Sequence, residues 1–223
     1  MPRHLQREIE SLKKKILSLG AIVETTVHNA IKSIEERDAA LASKIIDEDI
    51  EIDQTEVDIE EDCLKILALY QPVAIDLRFI VVVLKINTDL ERIGDLAVNI
   101  AERSAYLASV QQVNEFFDFV RMSDQTEAML KKSLDALVNL DSRLAYEVIT
   151  ADDIVDDLNR QMYLKIQDAI QKHPEQINSF IHLLSVSRHL ERIADHATNI
   201  AEDVIYMVDG KIVRHKTEDY NKK

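Results

Sequence analysis

The chain has 223 residues, a formal net charge of −14 and only three Gly, three Pro and one Cys. So few turn residues in a chain rich in Leu, Ile, Ala, Glu, Asp and Lys leave room for few, long helices. The lone Cys63 excludes an internal disulfide framework and a Cys-based zinc site, and the negative charge opposes a nucleic-acid backbone, so no nucleic-acid partner is expected.

In chain order, Leu5, Ile9, Leu12, Ile16, Leu19, Val23, Val27, Ala30 and Ile34 recur at steps of three or four, the spacing of one helix face. That helix should end near Arg37, with Asp38 capping a second that runs to Tyr70, where Gln71-Pro72 breaks it. Cys63 falls among apolar neighbours at helical spacing and reads as a packed core thiol. A third helix is expected from Pro72 to about Val110. The pattern then restarts, with helices over about 113–140, 142–172 and 174–208, the last opened by His173-Pro174. The longest apolar run, Phe79–Leu84, is too short to span a bilayer, and no signal peptide is expected.

The two sets of three helices are copies. Leu84–Tyr106 reads LKINTDLERIGDLAVNIAERSAY, and one hundred residues on Leu184–Tyr206 reads LSVSRHLERIADHATNIAEDVIY, with twelve of twenty-three positions identical. A weaker echo aligns Leu41, Ala42, Asp49 and Asp53 with Leu144, Ala145, Asp152 and Asp156. The expected fold is all-α, a tandem repeat of two antiparallel three-helix bundles, the first over 1–111 and the second over 112–223.

Each copy carries an acidic stripe. With Glu91 at zero on a wheel of about 100° per residue, Asp95 falls near 40°, Asn99 near 80° and Glu102 near 20°, opposite Leu90, Ile93, Ala97, Ile100 and Ala101. Glu191, Asp195, Asn199 and Glu202 repeat the layout. The preceding helices hold Asp49 and Asp53, with Glu56 and Glu60 continuing the row, and Asp152, Asp156 and Asn159. The stripes should therefore face away from the core. Like charges four apart on a helix cost a few tenths of a kcal/mol per pair, so a duplication that keeps them points to a compensating cation. Oxygen donors without Cys suit Mg, Ca, Mn or Fe. The bland alternative is a solvated acidic face in which Arg92 and Arg192 pair with neighbouring acids.

Gln71–Ser104, QPVAIDLRFIVVVLKINTDLERIGDLAVNIAERS, resembles the signature of the PhoU family, and LERIADHATNIAE resembles its second occurrence, with Ala194 in place of the usual Gly. The resemblance covers nearly the whole chain. It implies a cytoplasmic negative regulator of phosphate uptake and phosphate-starvation signalling, acting on a phosphate ABC transporter ATPase and a sensor histidine kinase and reaching the inner membrane through them. It also implies a homo-oligomer, a dimer being favoured, and no catalytic residues. By the same resemblance, metal clusters would be held by Asp49, Asp53, Glu91, Asp95 and Asn99 in the first half and by Asp152, Asp156, Glu191, Asp195 and Asn199 in the second. Gln71, Pro72, Asp76 and Arg78 match the family's Q-P-x-x-x-D-L-R stretch, although Pro72 and Asp76 also fit ordinary helix-opening chemistry.

Two other functions compete. A di-iron carboxylate enzyme of the ferritin-like kind needs inward Glu-x-x-His pairs, and none of the seven histidines has a Glu three residues before it. His182, His189 and His196 recur every seven residues at the apolar edge of the last helix, where packing is the expected role. A metal-free helical adaptor with acidic docking faces shares the fold expectations. Nothing supports nucleophilic catalysis, since no Ser or Cys sits in a Gly-bounded turn.

Overall fold

The structure, a computed structural model, describes residues 3–113, 117 and 119–213. Among them the chain forms α1 (Arg3–Glu36), α2 (Ala39–Tyr70), α3 (Ala74–Ser109), α4 (Phe119–Asn139), α5 (Ser142–Lys172) and α6 (Ile177–Asp209), with a short 3₁₀ turn at Pro174–Gln176. Residues 114–116 and 118, in the stretch where the fourth helix is expected to open, lie outside the described residues, as do the ends 1–2 and 214–223 of the two expected units.

The helix boundaries follow from local chemistry. Asp38 Oδ1 accepts from the amides of Ala40 and Leu41 at 2.9 and 3.0 Å, and Asp141 Oδ1 accepts from Arg143 and Leu144 at 2.9 and 3.1 Å. Two of the orphan donors at each helix start are thereby satisfied, which is worth about 1 kcal/mol per cap. Arg37 turns into the left-handed region at φ 54° to end α1, and its guanidinium reaches the carbonyls of Leu107 and Val110 at the far end of α3. The third helix starts later than expected, at Ala74 instead of Pro72. Gln71 adopts a left-handed C-cap, Pro72 is buried, and Val73 is the extended N-cap, so the Q-P pair forms the corner rather than the first turn. Gly210, at φ 71°, ends α6 beside the Arg78 guanidinium, which an added Cβ would approach to 2.9 Å.

Helices α1–α3 form one three-helix bundle and α4–α6 another. In the first, α3 packs on α1 and α2; in the second, α6 packs on α4 and α5; and α3 packs on α6 along the middle of the molecule. The two bundles share one continuous core. Leu12, Ile16, Ile59, Ile86, Leu90 and Ile93 of the first join Met122, Val148, Leu190, Ile193 and Ile200 of the second in a single cluster. A smaller cluster of Leu107, Met162, Ile166, Phe180 and Leu183 closes one end. Cys63 is fully buried and its thiol is pushed up to about 12, by burial and then by Asp62 and Glu60. It is an inert packed thiol, as its spacing suggests.

Candidate metal centre

The stripes do not lie on a free outer face. Because α3 is flanked by α1, α2 and α6 and α6 by α3, α4 and α5, each acidic row borders the groove to the preceding helix. In the first half Glu91 is 22% exposed and Asp95 41%. Across the groove Asp49 has its carboxyl raised above the usual range by burial and then by Asp53 and Asp95. Glu91 is raised by burial and by Asp95, with smaller contributions from Glu56 and Asp53. Acids of α2 and α3 therefore feel one another across the groove. Asp49 Oδ1 is buried with no hydrogen-bond partner among the described residues.

Gly94 lets the two helices approach this closely. A Cβ there would meet Ile52 Cδ1 at 3.1 Å, Ile52 Cγ2 at 3.2 Å and Asp49 Oδ1 at 3.9 Å. In the second half buried Ala194 takes this place, and the α5 position aligned with Ile52 is Val155, one carbon smaller.

Over the first stripe lies a cation: Arg92 Nε is 3.3 Å from Glu91 Oε2 and its Nη1 3.1 Å from Asp95 Oδ2. Asn99 turns its amide back to the Asp95 carbonyl at 2.7 Å. Asn87, a buried polar residue absent from the motif, donates to the Glu56 carbonyl at 2.9 Å and to its carboxylate at 3.3 Å, holding Glu56 at the groove. An Asn inside an otherwise apolar face was its only signal in the sequence.

In the second half the carboxylates converge further. One oxygen each from Asp156, Glu191 and Asp195 lies within 4.8 Å of the others. An ion with oxygen ligands at about 2.0–2.6 Å holds opposed oxygens about 4–5 Å apart, so the three fit one hard cation. Asp152 is pushed up to about 6, by burial and then by Asp195 and Asp156. Glu191 is raised by burial, Asp195 and Asp156, and Asp195 by burial and Asp156. Arg192 makes no ion pair like that of Arg92 among the described residues. Asn199 points elsewhere: its amide donates to Asp89 of α3 at 3.3 Å, and Asp89 also meets His196 Nδ1 at 2.8 Å. His182 stacks on Tyr106 with centroids 3.9 Å apart, and His189 Nε2 is 3.1 Å from Ser185 Oγ. All three histidines thus line the α3–α6 seam.

The structure brings together Asp49, Asp53, Glu91 and Asp95 in one groove and Asp152, Asp156, Glu191 and Asp195 in the other. It leaves the amide nitrogens of Asn99 and Asn199 bonded elsewhere. Among the residues of the Q-P-x-x-x-D-L-R stretch, Arg78 lies over the Tyr206 ring at 5.6 Å from its centroid and donates to the Met207 carbonyl at 3.5 Å. It ties the start of α3 to the end of α6.

A family model described as PhoU domain matches residues 16–104 and again 119–204. The phosphate-specific transport system accessory protein PhoU homolog of Aquifex aeolicus is 39% identical over 212 residues, 95% of this chain and 96% of that protein. Its counterpart in Pseudomonas putida is 37% identical over 93% of this chain and 82% of that one. The crystal structure of PhoU from Pseudomonas aeruginosa superposes with a TM-score of 0.90 at 35% identity, covering 92% of this chain and 99% of that one. The phosphate transport system regulatory protein PhoU from Streptococcus pneumoniae superposes with a TM-score of 0.83 at 29% identity, over 94% and 99%.

Proposed function

The chain belongs to the PhoU family, and from that premise we propose that it is a metal-binding negative regulator of phosphate uptake and phosphate-starvation signalling, working by protein contact and not by catalysis. The relatives named as accessory proteins of phosphate-specific transport extend over nearly the whole chain, which supports a regulatory role in that transport. The expected partners are the ATPase of a phosphate ABC transporter and its sensor histidine kinase. Among the described residues no helix is long and apolar enough to cross a membrane, which accords with a protein that reaches the membrane through its partners.

The convergence of Asp156, Glu191 and Asp195 carries the metal reading. Glu191 and Asp195, part-buried and held above their usual range by burial and neighbouring acids, carry repulsion that nearby arginines only partly offset, and a di- or trivalent cation would remove it. Asp152 and Asp156 from α5 and Glu191 and Asp195 from α6 would hold the ion, so that binding also clamps α5 to α6. In the first groove Asp49, Asp53, Glu91 and Asp95 would act likewise on α2 and α3. Oxygen-only donors fit Mg, Mn, Ca or Fe.

A second reading, a metal-free adaptor whose acidic faces dock a basic partner, is favoured in the first half by the ion pairs of Arg92 with Glu91 and Asp95. Elemental analysis of protein purified without chelator, with melting temperatures before and after chelation, separates the two. Bound metal with a melting temperature that falls on chelation is expected; metal-free protein indifferent to chelator overturns the metal reading. The regulatory role is tested by deletion. Cells lacking the protein should express phosphate-starvation genes in high phosphate, and normal shut-off would overturn it.

A further inference from the structure

Helices α3 and α6 cross the middle of the molecule antiparallel in one register. Lys85 Nζ lies 2.8 Å from Asp203 Oδ1, Asn199 Nδ2 3.3 Å from Asp89 Oδ1, and the Tyr106 ring stacks on His182. Combined with the hundred-residue duplication, this register makes the seam two-fold. The counterpart of Lys85 is Ser185 and that of Asp203 is Arg103, so the Lys85–Asp203 pair at one end is matched by Arg103 and Ser185 at the other.

Each end presents one long cation and one short acceptor. At the first end the acceptor is a carboxylate whose side chain is 2% exposed, so both signs of charge come from the protein. At the second end the acceptor is the Ser185 hydroxyl, so no carboxylate stands at this position. His182 and His189 stand about one turn to either side of Ser185 on the same face of α6. Burial and the Arg103 charge hold the His182 imidazole below its usual range. The Nδ1 atoms of both histidines are buried without a hydrogen-bond partner among the described residues. Arg103 itself is 31% exposed, and its ion pair is with its neighbour Glu102, at 3.6 Å on the exposed flank. This end of the seam thus lacks the carboxylate that Asp203 supplies at its twin, the acid paired with Arg103 being its half-exposed neighbour Glu102.

We propose that the Arg103 end of the α3–α6 seam binds a free tetrahedral oxyanion of the phosphate class, in the place that the Asp203 carboxylate fills at the other end. The planar guanidinium offers two parallel N–H donors matched to two oxygens of such an ion. The Ser185 hydroxyl and the part-exposed His182 ring supply neutral donors beside it. Tyr106, stacked on His182, fixes the ring's plane, so the donors are arranged before the anion arrives. The site lies between the two halves and uses none of the acidic residues of either groove, so it stands independently of the metal reading.

Equilibrium dialysis of the full, chelator-treated chain against radiolabelled inorganic phosphate in low-salt buffer tests it. One saturable site per chain, competed by sulfate but not by equal chloride, is expected. Arg103→Gln should weaken binding at least tenfold, while Lys131→Gln, an exposed cation on α4, should leave it unchanged. Ser185→Asp should abolish binding and raise the melting temperature, because it gives this end the carboxylate of its twin. Absence of saturable binding to the parent chain, or equal binding by the Arg103→Gln chain, would overturn the assignment. Flotation with phosphatidic acid vesicles that depends on Arg103 would also overturn it, since the source would then be a lipid headgroup and not a free ion.

Discussion

The two acidic grooves descend from one motif and reach different electrostatic states. In the first, Arg92 bridges Glu91 and Asp95 at 3.3 and 3.1 Å and Gly94 brings α2 close. In the second, Asp156, Glu191 and Asp195 converge, Asp152 is held at about 6, and Arg192 makes no matching pair among the described residues. The same residues in the same order thus give one groove whose arginine closes direct ion pairs over its acids and one in which Arg192 acts on Glu191 and Asp195 without such a pair. A duplicated motif does not guarantee duplicated affinity, because a long, exposed side chain such as Arg92 chooses its partners from the local field.

The grooves should respond unequally to loss of their acids. Replacing Glu191 and Asp195 together by Ala should lower metal affinity of the second groove by about 100-fold or more and remove one class of bound metal. The matching Glu91→Ala, Asp95→Ala change should cost less, about tenfold, because Arg92 already competes with the ion there. Neither change should lower the melting temperature in chelator, since removing like charges relieves repulsion. Equal losses measured by titration calorimetry would break the comparison.

The metal-free chain should also show a pH signature from the second groove. Asp152 has its folded pKa raised above the unfolded value of 3.8, to about 6. Its protonated form is favoured by the fold, so this stabilisation is fully present below pH 3.8 and is lost as pH rises through 6. The unscreened shift corresponds to about 3 kcal/mol, and solvent screening at this half-exposed group reduces it to about 1 kcal/mol. Chemical denaturation of the parent and Asp152→Asn chains between pH 4 and 8 should differ by that slope, and identical profiles would show that the groove is already relaxed.

A smaller effect sharpens the comparison from the first groove. Arg92→Gln removes the bridging cation and should raise metal affinity there several-fold, toward that of the second groove, with stability changed by less than about 1 kcal/mol because the pairs are exposed. Unchanged affinity would mean that Arg92 is a bystander. Smallest of all is the packing difference beneath the grooves. Gly94→Ala gains about 1 kcal/mol of helix propensity but crowds Ile52, and Ile52→Val, which reproduces the Ala194 and Val155 combination, should relieve that crowding. A double-mutant cycle should show favourable coupling of about 0.5 kcal/mol or more; simple additivity would show that Ile52 yields without cost.

Much of this molecule was determined by sequence alone. The 3.6-residue period of Leu5 through Ile34, the capping aspartates at 38 and 141, and the repeated LERI block specify the number, order and faces of the helices, because these depend on neighbours within a few residues. The acids were legible as a stripe for the same reason. Local pattern did not reveal the corner at Gln71, where a left-handed residue delays α3 to Ala74, or the start of α4 at Phe119. Nor could it reveal how helices far apart in sequence meet. The pressing of Glu91 into its groove follows from the packing of α3 on α2, and the merging of two bundles into one core, the turning of Asn199 to Asp89 and the placing of Arg103 opposite Ser185 follow from the α3–α6 register. That register is set by side-chain interlock between helices one hundred residues apart, where a small shift changes which charges face one another, and only the tertiary structure decides it.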